Sequence, residues 1–589
     1  MAPPAATIDV EVLPESDTST FTIPDRLTIQ SVAKRRAASG KLIAGVAAPA
    51  DLDQFKGRTS HRHKPDAKRW DHRLTPETLN RGGSSLKAAA AYLKTPGLIS
   101  LGGGLPSSEY FPFHEIDVKV PLLGHCAQGE EGSEVLRAGM HDMAEGKSAF
   151  DIATAAQYGQ GHGAAQFLRW IVEHTEIVHN PPYQDWSCTM TVGSTCAWDF
   201  ALRMLCQPGD WILSEQYTFP AAVETAAPLG VKVAGVAMDE NGMLASSLDH
   251  VLTNWDEKVR GGPKPFVLYT VPTGQNPTGS TQPIERRREI YGVCQKHDLY
   301  IFEDEPYYFL QMQPYKGPDA SPIPPPASHE EFLNSIVPSF LSIDVDGRVM
   351  RSDSFSKVIA PGSRVGWITA SEQMCDRFRT HADVCTQGPS GFSQLILFKL
   401  VDEIWGHSGY LDWLIHMRLE YTRRRNVMME SCERYLPKDI ISWVPPMAGM
   451  FHWIQVDYTQ HPKWIDGSVT MDELEEEIFQ TIIRHGTLLM KGSWFCAERT
   501  KPRNTMFFRA TYAAAKFDQI DEAIFRLGSA IRDSFGLRKQ INGTHTNGTN
   551  GAHTNTTHTN ETRTNGTHTN GTNGTNGVHT NGVRTNGVH

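Results

Sequence analysis

The sequence contains no apolar run of the length that a membrane-spanning helix requires, about 20 residues. Residues 1–21 have no apolar segment of the secretory type. They also carry Asp9, Glu11, Glu15 and Asp17, which is wrong for a mitochondrial transit peptide. These absences argue against membrane insertion and export, so we expect a cytoplasmic protein with no membrane partner.

Paired cysteines and an excess of positive charge are also missing. The nine cysteines include no Cys-x-x-Cys pair and are odd in number, which argues against disulfides and structural zinc. The 56 basic residues are outnumbered by 66 acidic ones, giving a net charge of −10, whereas nucleic-acid binding needs a basic surface. We interpret the one short basic cluster near the start, 34–36, as a solvent-exposed helix face. We expect neither a bound metal nor a nucleic acid.

Apolar residues make up 39% of the chain, enough for a large core. In the central part they form runs of strand length, some separated by helix-like segments such as Ile284–His297. The runs are Trp211–Ser214, Val231–Ala237, Pro265–Val271, Leu299–Glu303, Arg348–Arg351 and Val365–Thr369. Continuous apolar strands alternating with helices indicate a mostly parallel α/β sheet covered on both faces. After residue 400, long amphipathic segments flank shorter strands near 450–456 and 506–512, which indicates an α+β region.

Polar side chains follow three consecutive strands where each one ends, and two more precede a helix. They are Ser194 and Thr195 before the predicted helix 196–206, Asn276 after the run 265–271, Asp304 and Tyr307 after 299–303, and Ser354, Ser356, Lys357 and Arg364 after 348–351. In an open parallel sheet, ligands bind outside the carboxyl ends of the strands. We therefore expect these side chains to form one site.

One ligand would use all of these groups. Hydroxyls, a helix N-terminus and Arg364 suit a phosphate, while Asp304 suits a protonated ring nitrogen. Asn276 and Tyr307 suit a phenolate oxygen, and the amine of Lys357 can form an imine with an aldehyde. Phosphate, pyridinium, phenolate and aldehyde are the functional groups of pyridoxal 5'-phosphate, PLP. The motifs therefore predict PLP as the cofactor.

The order of the motifs resembles the class I/II aminotransferases of the fold-type I PLP superfamily, over roughly residues 85–535. Two segments, Ile99–Pro106 (ISLGGGLP) and Gln157–Gly159 (QYG), resemble the kynurenine/2-aminoadipate branch. The long N-terminal arm, an insertion at 310–347 and the segment 355–362 (FSKVIAPG) are similar to fungal aromatic amino-acid aminotransferases. The resemblance implies a large cofactor domain with a mostly parallel sheet and a smaller α+β domain.

The resemblance also implies a role for each matching residue. Lys357 would hold the cofactor and then move the proton, with Asp304 and Tyr307 as the other catalytic groups. At the phosphate, the implied contacts are Ser194, Thr195, Ser354, Ser356 and Arg364, together with Tyr158 of the neighbouring subunit. Within the same subunit as Lys357, Phe219 would stack on the ring and Asp304 would contact the ring nitrogen. Asn276 and Tyr307 would contact the ring oxygen. The implied substrate contacts are Arg509, which would bind the α-carboxylate through two bonds, with Gly104, Leu105 and Asn276.

The same resemblance divides the chain. Residues 1–80 form an N-terminal arm, 81–140 the first part of the small domain, 141–400 the PLP-binding large domain with a proline-rich insertion at 310–347, and 401–538 the rest of the small domain. The low-complexity Asn-Gly-Thr tail at 539–589 is expected to be disordered. Because Tyr158 would complete a neighbouring site, we expect a homodimer with shared active sites.

The predicted function is transfer of an amino group between an aromatic L-amino acid (tyrosine, phenylalanine or tryptophan) and a 2-oxo acid such as 2-oxoglutarate. A 2-aminoadipate aminotransferase and a PLP-dependent lyase or decarboxylase remain alternatives. A transcription regulator that carries a PLP domain is a more remote one, because residues 1–80 contain no paired amphipathic helices around a short turn.

Overall fold

The computed structural model describes residues 25–39, 42, 50–57, 63–90, 92, 95, 97–99, 101–123, 132–321 and 323–537. The predictions for the first residues of the arm and for the tail at 539–589 lie outside these residues. Within the described ranges, no helix combines the length and apolarity that crossing a membrane would need.

The strands form one large sheet, one smaller sheet and two hairpins. They are Glu115–Pro121 (β1), Ser133–Gly139 (β2), Trp186–Thr191 (β3), Trp211–Glu215 (β4), Lys232–Val236 (β5), Met238–Asp239 (β6), Gly242–Met243 (β7), Val267–Thr270 (β8), Tyr300–Asp304 (β9), Val349–Ser354 (β10), Gly366–Ser371 (β11), Ile441–Trp443 (β12), Phe451–Val456 (β13), Met490–Lys491 (β14) and Met506–Thr511 (β15). The large sheet has seven strands in the order β3-β11-β10-β9-β8-β4-β5.

The large sheet is mostly parallel, which confirms the predicted α/β class. The exception is β11, which is antiparallel to both β10 and β3. The connection from β10 to β11, residues 355–365, is shorter than the dozen or more residues that a parallel crossover needs. The sequence reading missed β3, because its residues (WSCTMT) mix polar and apolar side chains and form no continuous apolar run.

Helices cover both faces of the large sheet. The α-helices are Ile29–Ala38, Pro76–Asn80, Ser85–Ala89, Ile152–Ala155, Ala165–Val178, Ser194–Leu205, Pro220–Ala226, Ala245–Thr253, Glu257–Arg260, Ile284–Lys296, His329–Asn334, Glu372–Val384, Gly391–Phe398, Gly406–Tyr435, Pro462–Ile465, Met471–Arg484 and Phe517–Ser534. Successive strand residues point to opposite faces. Accordingly, Leu268 of β8 packs in one buried cluster and its neighbour Tyr269 in another, so both faces of the sheet are buried.

The smaller sheet is antiparallel, with the order β12-β13-β15-β14. The long helix Gly406–Tyr435 packs on Phe517–Ser534, which also contacts Met471–Arg484. Strand β15 carries Arg509 and pairs with β13. The region after residue 400 therefore has the predicted α+β character, while the domain boundaries themselves stay a prediction.

The N-terminal arm is anchored by ion pairs. Arg35 pairs with Glu176 and Arg36 with Glu173, both on the helix Ala165–Val178. The interpretation of 34–36 as a solvent-exposed face is wrong for these two arginines. The two glutamates are 0% and 1% exposed, and a buried carboxylate needs a paired cation.

The segment 310–347 has two different halves. Its proline-rich residues 314–321 and 323–331 are exposed or half-buried, whereas Ser339–Asp344 is buried. The carboxylate of Glu303, in β9, accepts the backbone N–H groups of Phe340 at 2.8 Å and Leu341 at 3.2 Å. The second half thus packs directly against the strand that ends in Asp304.

Candidate active site

A cavity of about 410 Å³ opens at the carboxyl ends of β8, β9 and β10. Eleven of the fourteen predicted site residues line it: Ser194, Thr195, Phe219, Asn276, Asp304, Tyr307, Ser354, Ser356, Lys357, Arg364 and Arg509. Among the described residues there is no group of three or more His, Cys, Asp or Glu side chains placed to hold a metal ion. The fold therefore gathers into one cavity residues that the chain spreads over many strand ends.

One end of the cavity is a concave set of hydrogen-bond donors. Ser354 Oγ lies 2.8 Å from Ser356 Oγ, and Arg364 Nη1 lies 3.4 Å from the same Ser356 oxygen. The helix Ser194–Leu205 begins here after Gly193, whose φ is +79°. A Cβ at Gly193 would lie 2.3 Å from Arg364 Nη2, so only glycine lets the guanidinium come this close. Hydroxyls, a guanidinium and a helix N-terminus together suit a phosphate group.

Asp304 is the last residue of β9 and is buried. Its Oδ2 accepts a hydrogen bond from the hydroxyl of Tyr269 at 2.8 Å. Its Oδ1 is also buried and accepts no hydrogen bond of normal geometry within the described part of the chain, although the nearby Ser194 hydroxyl lowers the pKa of Asp304. Burial raises the pKa of Asp304 to about 6. A protonated nitrogen beside Oδ1 would provide both the missing donor and a positive charge, which favours the ionised carboxylate.

Lys357 follows β10 and is partly buried in the cavity wall. Burial lowers the pKa of its amine, the positive charges of Arg364 and Arg509 lower it further, and Asp304 acts in the opposite direction. A lower pKa increases the fraction of neutral amine, which is the nucleophilic form.

Arg509 reaches the cavity from β15. Its guanidinium lies 4.4 Å from the ring centre of Phe451 and 4.7 Å from that of Phe495, and Nη1 donates to Asn276 Oδ1 at 2.8 Å. Burial lowers its pKa. Among the described residues, no carboxylate forms an ion pair with Arg509. A partly desolvated cation that lacks a counter-charge suits the carboxylate of a ligand, which a guanidinium binds through two parallel bonds.

Aromatic side chains form much of the remaining wall. Tyr307 packs edge-to-face against Phe451, with ring centres 5.7 Å apart. Phe219 lies at the start of the helix Pro220–Ala226 and also lines the cavity, as do Trp198 and Tyr269. An apolar aromatic wall favours a flat apolar ligand group through buried area and ring stacking.

Three predicted site residues do not line the cavity of the single chain. Tyr158 is 58% exposed, Leu105 is 40% exposed, and Gly104 is exposed beside it. The sequence reading in turn missed Tyr269 and Phe451. A hydroxyl inside the apolar strand β8 must find a partner, and this signal could have pointed to Tyr269. Phe451 belongs to the segment Ala448–Phe451 (AGMF), which resembles a Gly-Gly-Met-Phe motif of the family, but the motif alone assigned no role to the ring.

Comparison with known proteins gives a consistent result. Residues 127–527 match the family model described as aminotransferase class I and II. An aromatic amino acid aminotransferase of Schizosaccharomyces pombe is 44% identical over 468 residues, covering 79% of this chain and 98% of that protein. The mitochondrial kynurenine/alpha-aminoadipate aminotransferase of Bos taurus is 30% identical over 473 residues, covering 78% and 98%. The crystal structure of an aminotransferase from Candida albicans superposes with a TM-score of 0.75 at 41% identity, covering 80% of this chain and 100% of that one.

Proposed function

Because the chain belongs to the class I and II aminotransferase family, we propose that it uses PLP to exchange amino groups between an aromatic L-amino acid and a 2-oxo acid such as 2-oxoglutarate. The observation that carries the proposal is the meeting of Lys357, Asp304 and Arg509 in one cavity with a set of phosphate-binding donors. The four groups match an aldehyde, a ring nitrogen, a substrate carboxylate and a phosphate.

The residues of the cavity fit PLP. Ser194, Thr195, Ser354, Ser356 and Arg364 would hold its phosphate, and the glycine at 193 lets the Arg364 guanidinium approach the start of the helix Ser194–Leu205. When bound, the cofactor supplies an aldehyde carbon and a ring that takes up the electrons released at the α-carbon of the amino acid.

Unused hydrogen-bonding atoms of Asp304 and Asn276 support their proposed contacts with the cofactor ring. Oδ1 of Asp304 accepts no hydrogen bond of normal geometry from the described residues and would face the ring nitrogen. Asn276 Oδ1 is occupied by Arg509, which leaves the Nδ2 amide as a donor for the ring oxygen, together with the hydroxyl of Tyr307. Phe219 would stack on the ring face.

Lys357 would act twice. Its neutral amine would hold the cofactor through the aldehyde carbon. Once the amino acid has taken that place, the free Nζ would accept the proton from the α-carbon and donate it back. Both steps require a neutral amine, and the burial and neighbouring positive charges that lower the pKa of Lys357 favour this form.

Arg509 would bind the α-carboxylate that both substrates share. It lies on the smaller sheet, whereas Lys357 follows a strand of the large sheet, so the cavity uses side chains of both sheets. This arrangement supports the predicted division into a large domain at 141–400 and a small domain that includes 401–538.

The proposed preference for aromatic donors rests on the residues that line the cavity. The cavity is lined by Phe219, Tyr307 and Phe451, and its cations are Lys357, Arg364 and Arg509. With the three cations assigned to cofactor and α-carboxylate, no cation among the described lining residues is left for a second substrate carboxylate. We expect tyrosine, phenylalanine or tryptophan to be better donors than aspartate by at least roughly tenfold in kcat/KM, about 1.4 kcal/mol. Gly104 and Leu105 would contribute to the pocket only if their exposed segment folds over a bound substrate.

Steady-state assays with each amino acid at a fixed concentration of 2-oxoglutarate test this class. Aromatic donors should give the highest kcat/KM. Transamination of 2-aminoadipate at the same site is the second candidate function, because the bovine relative carries that substrate in its name. If aspartate or 2-aminoadipate outperforms all three aromatic donors, the aromatic assignment is wrong and the transaminase assignment stands.

We also propose that the active unit is a homodimer. The segment before the first hairpin exposes several large apolar side chains, among them Ile99, Leu101 and Tyr110, and Leu101 is 96% exposed. Such exposure is unusual for a surface that faces water, and a second copy of the chain would cover it. Tyr158, exposed in the single chain, would then contact the phosphate bound by the other subunit.

A further inference from the structure

We propose that Tyr269 is a positioning residue that orients the Asp304 carboxylate for the cofactor. Its hydroxyl would occupy Oδ2 and leave Oδ1 as the one acceptor for the pyridine nitrogen. The inference rests on the proposed PLP function and deepens it, because it assigns the group that sets the geometry of the ring-nitrogen contact.

The first support is the fixed position of the hydroxyl. Tyr269 is 1% exposed and lies in the middle of the large sheet, on β8, next to the strand that ends in Asp304. Its ring lies 4.8 Å from Trp198 and 6.0 Å from Phe302, the latter nearly parallel at 13°. These ring contacts hold the phenol in the core, where its hydroxyl donates to Oδ2 at 2.8 Å.

The second support is the difference in hydrogen bonding between the two carboxylate oxygens of Asp304. Oδ2 accepts from Tyr269, whereas Oδ1 is buried and no described residue makes a hydrogen bond of normal geometry to it, although the nearby Ser194 hydroxyl also lowers the pKa of Asp304. A carboxylate held at one oxygen can rotate little about its χ2 angle, so the direction of the free oxygen is also fixed. Without the phenol, both oxygens would be buried acceptors and the carboxylate would be free to reorient.

The third support is the direction of the hydrogen bond between Tyr269 and Asp304. Burial raises the pKa of Tyr269 well above its ordinary value, so the phenol stays protonated and can only donate to Asp304. The hydrogen bond lowers the pKa of Asp304 against the effect of burial, which favours the ionised carboxylate. An ionised carboxylate is the form that keeps a ring nitrogen protonated.

The test compares two variants that each remove one buried phenol hydroxyl. Tyr269→Phe removes the donor to Asp304. Tyr300→Phe removes a hydroxyl that is equally buried, on the neighbouring strand β9, and that has no hydrogen-bond partner among the described residues. The readouts are the Kd of PLP for the apoprotein, the 15N spectrum of ring-labelled PLP bound to the protein, and kcat and KM separately.

We expect Tyr269→Phe to raise the Kd of PLP about tenfold, equal to about 1.4 kcal/mol and near the lower end for a hydrogen bond to a charged group. The 15N signal should move toward that of an unprotonated ring nitrogen. The turnover number kcat should fall, while KM for the amino acid changes little. Tyr300→Phe should match the wild type in all three readouts.

A double-mutant cycle separates positioning from general packing. If Tyr269 acts through Asp304, adding Tyr269→Phe to Asp304→Asn should change the Kd of PLP by less than about twofold. Fully additive losses, or a Tyr269→Phe variant with the wild-type Kd and 15N shift, would overturn the inference. If Tyr269→Phe does not fold, 3-fluorotyrosine at position 269 replaces it. Its more acidic hydroxyl should tighten PLP binding, and equal or weaker binding would count against the role. If the wild type itself does not bind PLP, the proposed function fails, an outcome distinct from the others.

Discussion

Replacement of Arg509 gives the clearest energetic prediction for substrate binding. In Arg509→Ala the cavity loses the cation that would make two parallel hydrogen bonds to the α-carboxylate. A hydrogen bond to a charged group contributes about 1.5–3 kcal/mol, so two contribute roughly 3–6 kcal/mol. At about 1.4 kcal/mol per factor of ten, kcat/KM should fall roughly 10²- to 10⁴-fold for every amino acid donor and every oxo acid acceptor. Arg509→Lys keeps the charge but not the planar fork, so its loss should be smaller but still large.

The assay measures kcat/KM for tyrosine and 2-oxoglutarate and, separately, the Kd of PLP. Arg503→Lys is the control, because Arg503 already pairs with Asp472 and Glu475 and does not line the cavity. The control should leave kcat/KM close to the wild-type value, because Arg503→Lys keeps the positive charge and position 503 does not line the cavity. A comparably small effect of Arg509→Ala, or a loss of PLP affinity that accounts for the whole decrease, would refute the assignment of Arg509 to the substrate carboxylate.

Three further predictions concern the Asp304 carboxylate, the buried Glu173 and the sharing of active sites between subunits. Asp304→Ala should lower kcat far more than it raises KM, since the carboxylate acts on the ring nitrogen in the transition state; a change in KM alone would contradict this. Burial alone would raise the pKa of Glu173, but hydrogen bonds from a histidine and from Arg36 lower it from 4.5 to about 2. The carboxylate therefore stabilises the fold above about pH 4.5, and this contribution, of order 3 kcal/mol, is lost as the pH falls toward 2. Denaturant unfolding at pH 7 and 3 should show a smaller pH effect in Arg36→Ala, and an unchanged one would refute the pairing. Tyr158→Phe and Lys357→Ala subunits, refolded together, should form hybrid dimers with one intact site, and no regained activity in proven hybrids would contradict site sharing.

Much of the site could be predicted because its residues stand at strand ends. Asp304 follows the apolar run Leu299–Glu303, and Lys357 follows β10 (VMRSDS), whose polar residues make it harder to recognise. Because the carboxyl ends of parallel strands meet at one edge of the sheet, motifs that follow the strands could be expected to meet there. The cavity gathers these side chains as expected, while their roles remain proposals.

The rest depends on contacts between distant segments. The hydrogen bond from Tyr269 to Asp304 and the bond from Arg509 to Asn276 join residues 35 and 233 positions apart. No periodicity encodes such pairs. The register of β8 against β9 brings Tyr269 near Asp304, and Arg509 of the smaller sheet meets Asn276 in the loop that follows β8. The same holds for Arg36, whose buried partner lies 137 residues away. The sequence shows which side chains are charged, but the packing of the folded chain decides which opposite charge each of them pairs with.

The central claim is that Lys357 carries PLP, and borohydride trapping followed by peptide mapping tests it most directly. Trypsin cleaves after Arg351, Lys357 and Arg364 in the unmodified chain. Reduction of the PLP-bound enzyme should block cleavage at Lys357 and yield the peptide Ser352–Arg364 with one phosphopyridoxyl group attached. The Lys357→Ala variant should give no labelled peptide at all. A label on another lysine of the wild type, or a label that persists in Lys357→Ala, would contradict the account.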